Sequence, residues 1–173
     1  MKLLLYCTKG KELWGDGTGE TWNGIAEDED LDLVFELNPT LTRLNGKIVA
    51  QCNCEKVDLI CPDFNYLDAS CKDGKGFILY KACLTRKDLV DYGKGKYLYA
   101  LHLSNLEVFD NPKELRYYGV KKAPQNMMKV FDDKGNEYVL ISIRPEHLAN
   151  ILNGKKTIEV RKRILKSMEG LMK

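Results

Sequence analysis

Ile141-Ser142-Ile143-Arg144-Pro145-Glu146-His147, followed by Leu148-Ala149-Asn150-Ile151-Leu152-Asn153 and then Gly154-Lys155-Lys156-Thr157-Ile158-Glu159-Val160-Arg161, is the stretch that decides how this chain is read. Pro145 suits the first turn of a helix, where its missing N–H is not needed, and Leu148, Ile151 and Leu152 recur at helical spacing. Gly154 fits the left-handed residue that ends such a helix. Beyond it, Thr157, Glu159 and Arg161 alternate with Ile158 and Val160, which is strand period. The expectation is a strand-helix-strand unit whose Ile158 and Val160 face a core. The polar trio then faces outward or into a cleft, and Lys156 can turn toward the same cleft.

Composition sets the frame. At 173 residues and 44% hydrophobic content, the chain can bury a real core as one domain over 1–173, with no disulfide, metal or cofactor required. No apolar run is long enough to span a bilayer, and Met1-Lys2-Leu3-Leu4-Leu5-Tyr6 reaches polar Thr8-Lys9 too soon for a secretory signal, so a cytoplasmic location and no membrane partner are expected. Cys7, Cys52, Cys54, Cys61, Cys71 and Cys83 show no C-x-x-C pairing, which favours reduced, partly buried thiols. Cys52 and Cys54 share a strand face but lack matching partners for a metal.

The spacing of Gly154, Lys156, Glu159 and Arg161 matches G-x-K-x-x-E-x-R and resembles the signature of the ASCH family, a branch of the PUA-like fold. In that family the unit stands near the start of the domain, whereas here it lies in the final quarter. Leu3-Leu4-Leu5-Tyr6-Cys7, Asn45 to Ala50 and Tyr97 to Leu103 look like the family's later strands in their usual order, and Lys122-Ala123-Pro124-Gln125-Asn126 resembles its closing turn. The resemblance therefore implies an α+β, circularly permuted ASCH domain, a PUA-like mixed β-barrel with short flanking helices. Asp132-Asp133-Lys134-Gly135-Asn136 would be the hairpin loop joining the old ends. Permutation of that kind would bring Met1 near the residues just after Arg161.

Charge is unevenly placed. Asp16 to Glu36 holds eight acidic residues and no lysine or arginine, inside a Gly-rich stretch at about 10–43 that reads as an insertion. It is either a solvated spacer or a lid over a basic cleft, and Trp14 and Trp22 would anchor it or cover that cleft. Arg144 to Lys166 is strongly basic. The basic tail 162–173 sets Ile164, Leu165, Met168, Leu171 and Met172 near helical spacing, so it docks on its own domain or, as the lesser option, forms a partner or weak homodimer contact.

Elsewhere Lys47 to Val57 and Tyr97 to Phe109 read as strands, Thr85 with Asp88 opens a short helix as a capping box, and Asn111-Pro112 should break the second long strand. Short strands curling around an inner core would make a small mixed barrel.

Function rests on the cleft. Lys156 and Arg161 offer donors for phosphate or for a base carbonyl, while Glu159, ionised between two cations, can accept from an exocyclic amine. Together with the resemblance, this implies binding of RNA, a nucleotide or a modified nucleoside, with Arg144 as a phosphate contact and Ser142, Tyr6, Thr8 and Gln125 as further lining residues. The alternative is a structural ion-pair network. Some family members act as amidohydrolases on acetylated cytidine, with a lysine matched here by Lys156 and a threonine whose place Glu159 holds. Thr157 supplies a hydroxyl nearby. A ribonuclease would use Lys156 and Glu159 as acid and base. An adaptor with an idle cleft is the third option. His147 reads as an exposed helix residue more readily than as a proton-transfer group.

Overall fold

The computed structural model describes residues 1–8, 44, 46–62 and 77–172. The acidic insertion with Trp14 and Trp22, and also Cys71, lie outside the described residues. In chain order the elements are β1 (Lys2–Cys7), β2 (Ile48–Ile60), α1 (Phe77–Ala82), α2 (Arg86–Gly93), β3 (Leu98–Lys113), a 3-10 turn (Leu115–Tyr118), β4 (Met127–Phe131), β5 (Glu137–Ile143), α3 (Pro145–Leu152), β6 (Ile158–Arg161) and a final 3-10 helix (Lys166–Leu171).

The strands form one six-stranded sheet in the order β4-β5-β1-β2-β3-β6. Every neighbouring pair is antiparallel except β1 with β5, which run parallel. β1 lies inside the sheet and is apolar on both sides because both sides are covered. Leu3, Leu5 and Cys7 join a cluster with Leu148, Ala149 and Ile151 of α3. Leu4 and Tyr6 join Tyr118, Val120 and Leu140 on the other side. A third cluster packs α1 and α2 through Ile78, Ala82 and Leu89 onto Leu98, Ala100, Ile158 and Val160.

Three shifts of register between β2 and β3 bend this pair, and the sheet curls into a half-barrel with short helices, an α+β architecture. It is not closed by backbone pairing among the described residues: β4 and β6 are its edges. Nor are β1 and β6 neighbours, since β2 and β3 lie between them. Met1 nevertheless packs on the same cluster as Ile164 and Leu165, and its amino group donates to the Cys54 carbonyl at 3.1 Å.

Local chemistry accounts for several element ends. Thr85 and Asp88 form a reciprocal capping box at α2. Pro145 opens α3. In the β4-β5 hairpin, the Asp132 carboxylate accepts from the backbone amides of Lys134 and Asn136, and Gly135 takes φ +82°. Asn111-Pro112, expected to end β3, does not: the strand continues to Lys113. The register slips there, with Val108 opposite Ala50 but Lys113 opposite Ile48, so the proline sits in an irregular stretch where a missing N–H costs little.

The tail covers its own core instead of presenting an apolar face. Met168 is fully buried, and Ile164, Leu165, Leu171 and Met172 pack beside it, in a 3-10 rather than an α geometry. Cys52 and Cys54 are buried in the same cluster, and burial pushes the Cys7 and Cys52 thiols up to about 12, which leaves both as poor nucleophiles.

Gly154 ends α3 at φ +82° with open space where a Cβ would stand. Gly154→Ala therefore meets no clash but carries the left-handed backbone penalty, an expected loss of about 1–2 kcal/mol in chemical denaturation.

Candidate functional site

β6 is short, and its two faces do different work. Ile158 and Val160 enter the apolar cluster under α1 and α2, while Glu159 and Arg161 turn to the inside of the curl with Lys156 just ahead of them. All three charged residues are buried, at 3% exposure for Lys156, 5% for Glu159 and 8% for Arg161. Glu159 holds them together: one carboxylate oxygen lies 2.9 Å from an Arg161 Nη, the other 3.3 Å from Lys156 Nζ. The second contact is an ion pair without hydrogen-bond alignment, and it leaves that oxygen formally unpartnered.

Two backbone carbonyls and one side-chain amide oxygen accept further bonds from these cations, while Arg161 Nε is buried without a partner. Lys156 Nζ donates to Ala82 O at 2.7 Å, the last carbonyl of α1, where a cation also suits the negative end of the helix. Arg161 Nη2 donates to Ser142 O at 2.6 Å and Nη1 reaches Asn126 Oδ1 at 3.4 Å. Asn126 in turn donates to Arg163 O at 2.9 Å. These bonds tie β6 to Ser142 of β5 and to Asn126, just ahead of β4, across the open side of the half-barrel.

At this seam is a cavity of about 700 Å³. Lys156, Glu159, Val160 and Arg161 form one wall, and Thr8, Pro124, Gln125, Ser142, Arg144 and His147 another. Leu84 with Asp88, Asp91 and Tyr92 of α2 faces them. Of the residues expected from sequence, Lys156, Glu159, Arg161, Arg144, Ser142, Gln125 and Thr8 are thus brought together.

Two are not. Tyr6 shares the Leu4 side of β1 and is buried under Tyr118 and Val120, away from the cavity. Thr157 precedes the strand rather than belonging to it. Its amide and carbonyl are taken by Lys81 and Leu103, and its side chain is exposed outside the cavity, so it does not share the face of Glu159 and Arg161.

The cleft is also less basic than the charge run suggested. Lys155, Lys162, Arg163 and Lys166 do not line it, whereas Asp88 and Asp91 do. Asp88 Oδ2 accepts from Thr85, and Asp91 Oδ2 accepts from Lys87 at 2.6 Å. The acidic wall belongs to a helix far from the signature in sequence, which is why charge counting along the chain missed it.

Burial by itself would raise the Glu159 pKa, but Lys156 and Arg161, with His147 behind them, outweigh it and hold the carboxyl below the usual range. His147, expected on an exposed face, is half-buried in the cavity. Burial, and then the Lys156 charge, push it below the ordinary imidazole value of 6.5 against the pull of Glu159 and Glu146. These effects favour its neutral form, in which a ring nitrogen can accept a proton. The signal available in sequence was its place two residues after Pro145, on the turn of α3 that starts beside the signature strand.

Because the unfolded imidazole binds its proton at higher pH than the folded one, His147 contributes stability that is fully present above pH 6.5 and is lost as pH falls from 6.5 toward the lower folded value. Urea titrations at pH 7.5 and 5.5 should show the loss, and His147→Gln should flatten it. An unchanged slope in the variant assigns the effect to another group.

No family model, curated protein or solved structure matches this chain.

Proposed function

We propose that this chain is an RNA- or nucleotide-binding module of the ASCH type, a circularly permuted member of the PUA-like class, whose cavity holds a nucleobase and its phosphate. The observation that carries the reading is the linked, buried set Lys156-Glu159-Arg161 on the wall of a cavity of about 700 Å³. That volume falls within the roughly 300–1,000 Å³ usual for small-molecule sites. A buried ionic triad gives a fold little that apolar packing would not, and its place on a cavity wall supports a role in recognition. Exposed Arg144 at the rim is the phosphate contact, and Asp88 and Asp91 repel that phosphate from the α2 side. Glu159, Ser142 and Gln125 face the base edge. A cytoplasmic location belongs to the same proposal; among the described residues, no helix is long and apolar enough to cross a membrane.

Calorimetric titration with nucleoside 5′-monophosphates and with short single-stranded RNA, at low and high salt, tests this. Binding that weakens with salt and leaves the RNA intact is the expected result. Absence of binding at millimolar ligand contradicts it.

One observation favours a second reading, a hydrolase acting on RNA or on a modified nucleoside such as acetylated cytidine. Neutral His147 beside Lys156 and Glu159 supplies a base that Glu159, pinned between two cations, is too weak to be. Thr157 has no part in that chemistry. Fragments from RNA, or acetate from acetylated cytidine, lost in both Lys156→Ala and His147→Ala, would establish turnover.

A further inference from the structure

The wall formed by α2 carries an aromatic ring that neither the signature nor the charge pattern points to. Tyr92 lines the cavity and is 39% exposed. Its ring is held by a cation: the Lys162 ammonium stands 4.6 Å from the ring centroid. Arg144, Glu159 and Arg161 line the same cavity, which places Tyr92 among the charged residues of the site. Such a ring is already oriented and loses little freedom when a ligand arrives.

We propose that Tyr92 is the stacking platform of the cavity: the planar ring of the ligand lies against it while Glu159 and Arg161 meet the ring's polar edge. This rests on the nucleotide reading above and adds a specificity-determining residue to it. Every nucleobase has a π-face, so Tyr92 sets the requirement for a flat ring and leaves discrimination among bases to the polar wall. The arrangement also accounts for the acidic residues beside it. Asp88 and Asp91 precede Tyr92 on α2 and line the same cavity, so a ligand that stacks there turns its phosphate toward Arg144.

The experiment is a comparison of wild type, Tyr92→Phe, Tyr92→Leu and Tyr92→Ala by calorimetric titration with the four common nucleoside 5′-monophosphates and with ribose 5-phosphate, which has the sugar phosphate but no ring. Stacking predicts that Tyr92→Phe binds nucleotides within about twofold of wild type, while Tyr92→Leu and Tyr92→Ala lose roughly tenfold or more. Ribose 5-phosphate should bind all four proteins alike. Thermal melts of the half-exposed variants guard against misfolding, and the phenylalanine variant keeps the packing. If wild type binds nucleotides and Tyr92→Ala binds them equally, Tyr92 is not the platform and the nucleotide reading stands. If Tyr92→Ala loses ribose 5-phosphate as severely as nucleotides, the residue acts on the phosphate or the fold and stacking is overturned. If wild type binds none of the four, both inferences fall.

Discussion

Glu159→Ala will destabilise the fold by about 3–5 kcal/mol in chemical denaturation, the cost of breaking a buried ion pair by removing one partner. The cause is the charge left behind. Lys156 and Arg161 are both buried and both face the same carboxylate, so its removal leaves two cations without the anion that offsets their desolvation. Glu159→Gln keeps the volume and should lose nearly as much, since an amide neutralises neither cation. A loss under about 1 kcal/mol for both variants would mean that water reaches the triad freely and that the pairing contributes no more than a surface ion pair.

The second expectation separates stability from function. Replacing all three residues together, as Lys156→Met, Glu159→Leu and Arg161→Met, removes the charges and their desolvation at once, and should leave the fold near wild-type stability. Nucleotide binding should nonetheless fall by 100-fold or more, because truncating buried charged contacts typically costs about 2–5 kcal/mol of affinity. If the triad exists only to tie β6 to β5, the triple variant will bind whatever the wild type binds. The Arg161 contacts to Ser142 O and Asn126 make that structural alternative concrete, which is why stability and binding must be measured on the same variant.

Where the sequence was legible, short-range chemistry was in charge. Pro145 and Gly154 bracket α3 as their backbone preferences require, the Asp132 to Asn136 loop forms its hairpin, and Thr85 with Asp88 caps α2. Lys156, Glu159 and Arg161 were legible for the same reason: a turn and four strand residues fix their relative positions whatever the rest of the chain does.

Legibility ended where distant elements meet. Pro112 reads as a breaker, but a slipped register between β2 and β3 accommodates it. Tyr6 reads as a site residue, but the side of β1 it occupies is decided by Tyr118 and Val120, more than 100 positions away. His147, Asp88, Asp91 and Tyr92 became site residues only because α2 and α3 pack on opposite walls of one cavity. No local pattern encodes that meeting, and the open edge of the half-barrel, where a closed barrel was expected, likewise depends on which strands pair.

The central claim is that the seam between β5 and β6 is a ligand site, and a crystal structure of the protein soaked with a nucleoside 5′-monophosphate tests it most directly. The phosphate is expected at Arg144, with the base inside the cavity against Glu159 and Tyr92. A saturated crystal with this cavity accessible to solvent but without ligand, or with the nucleotide held on another surface, would contradict it.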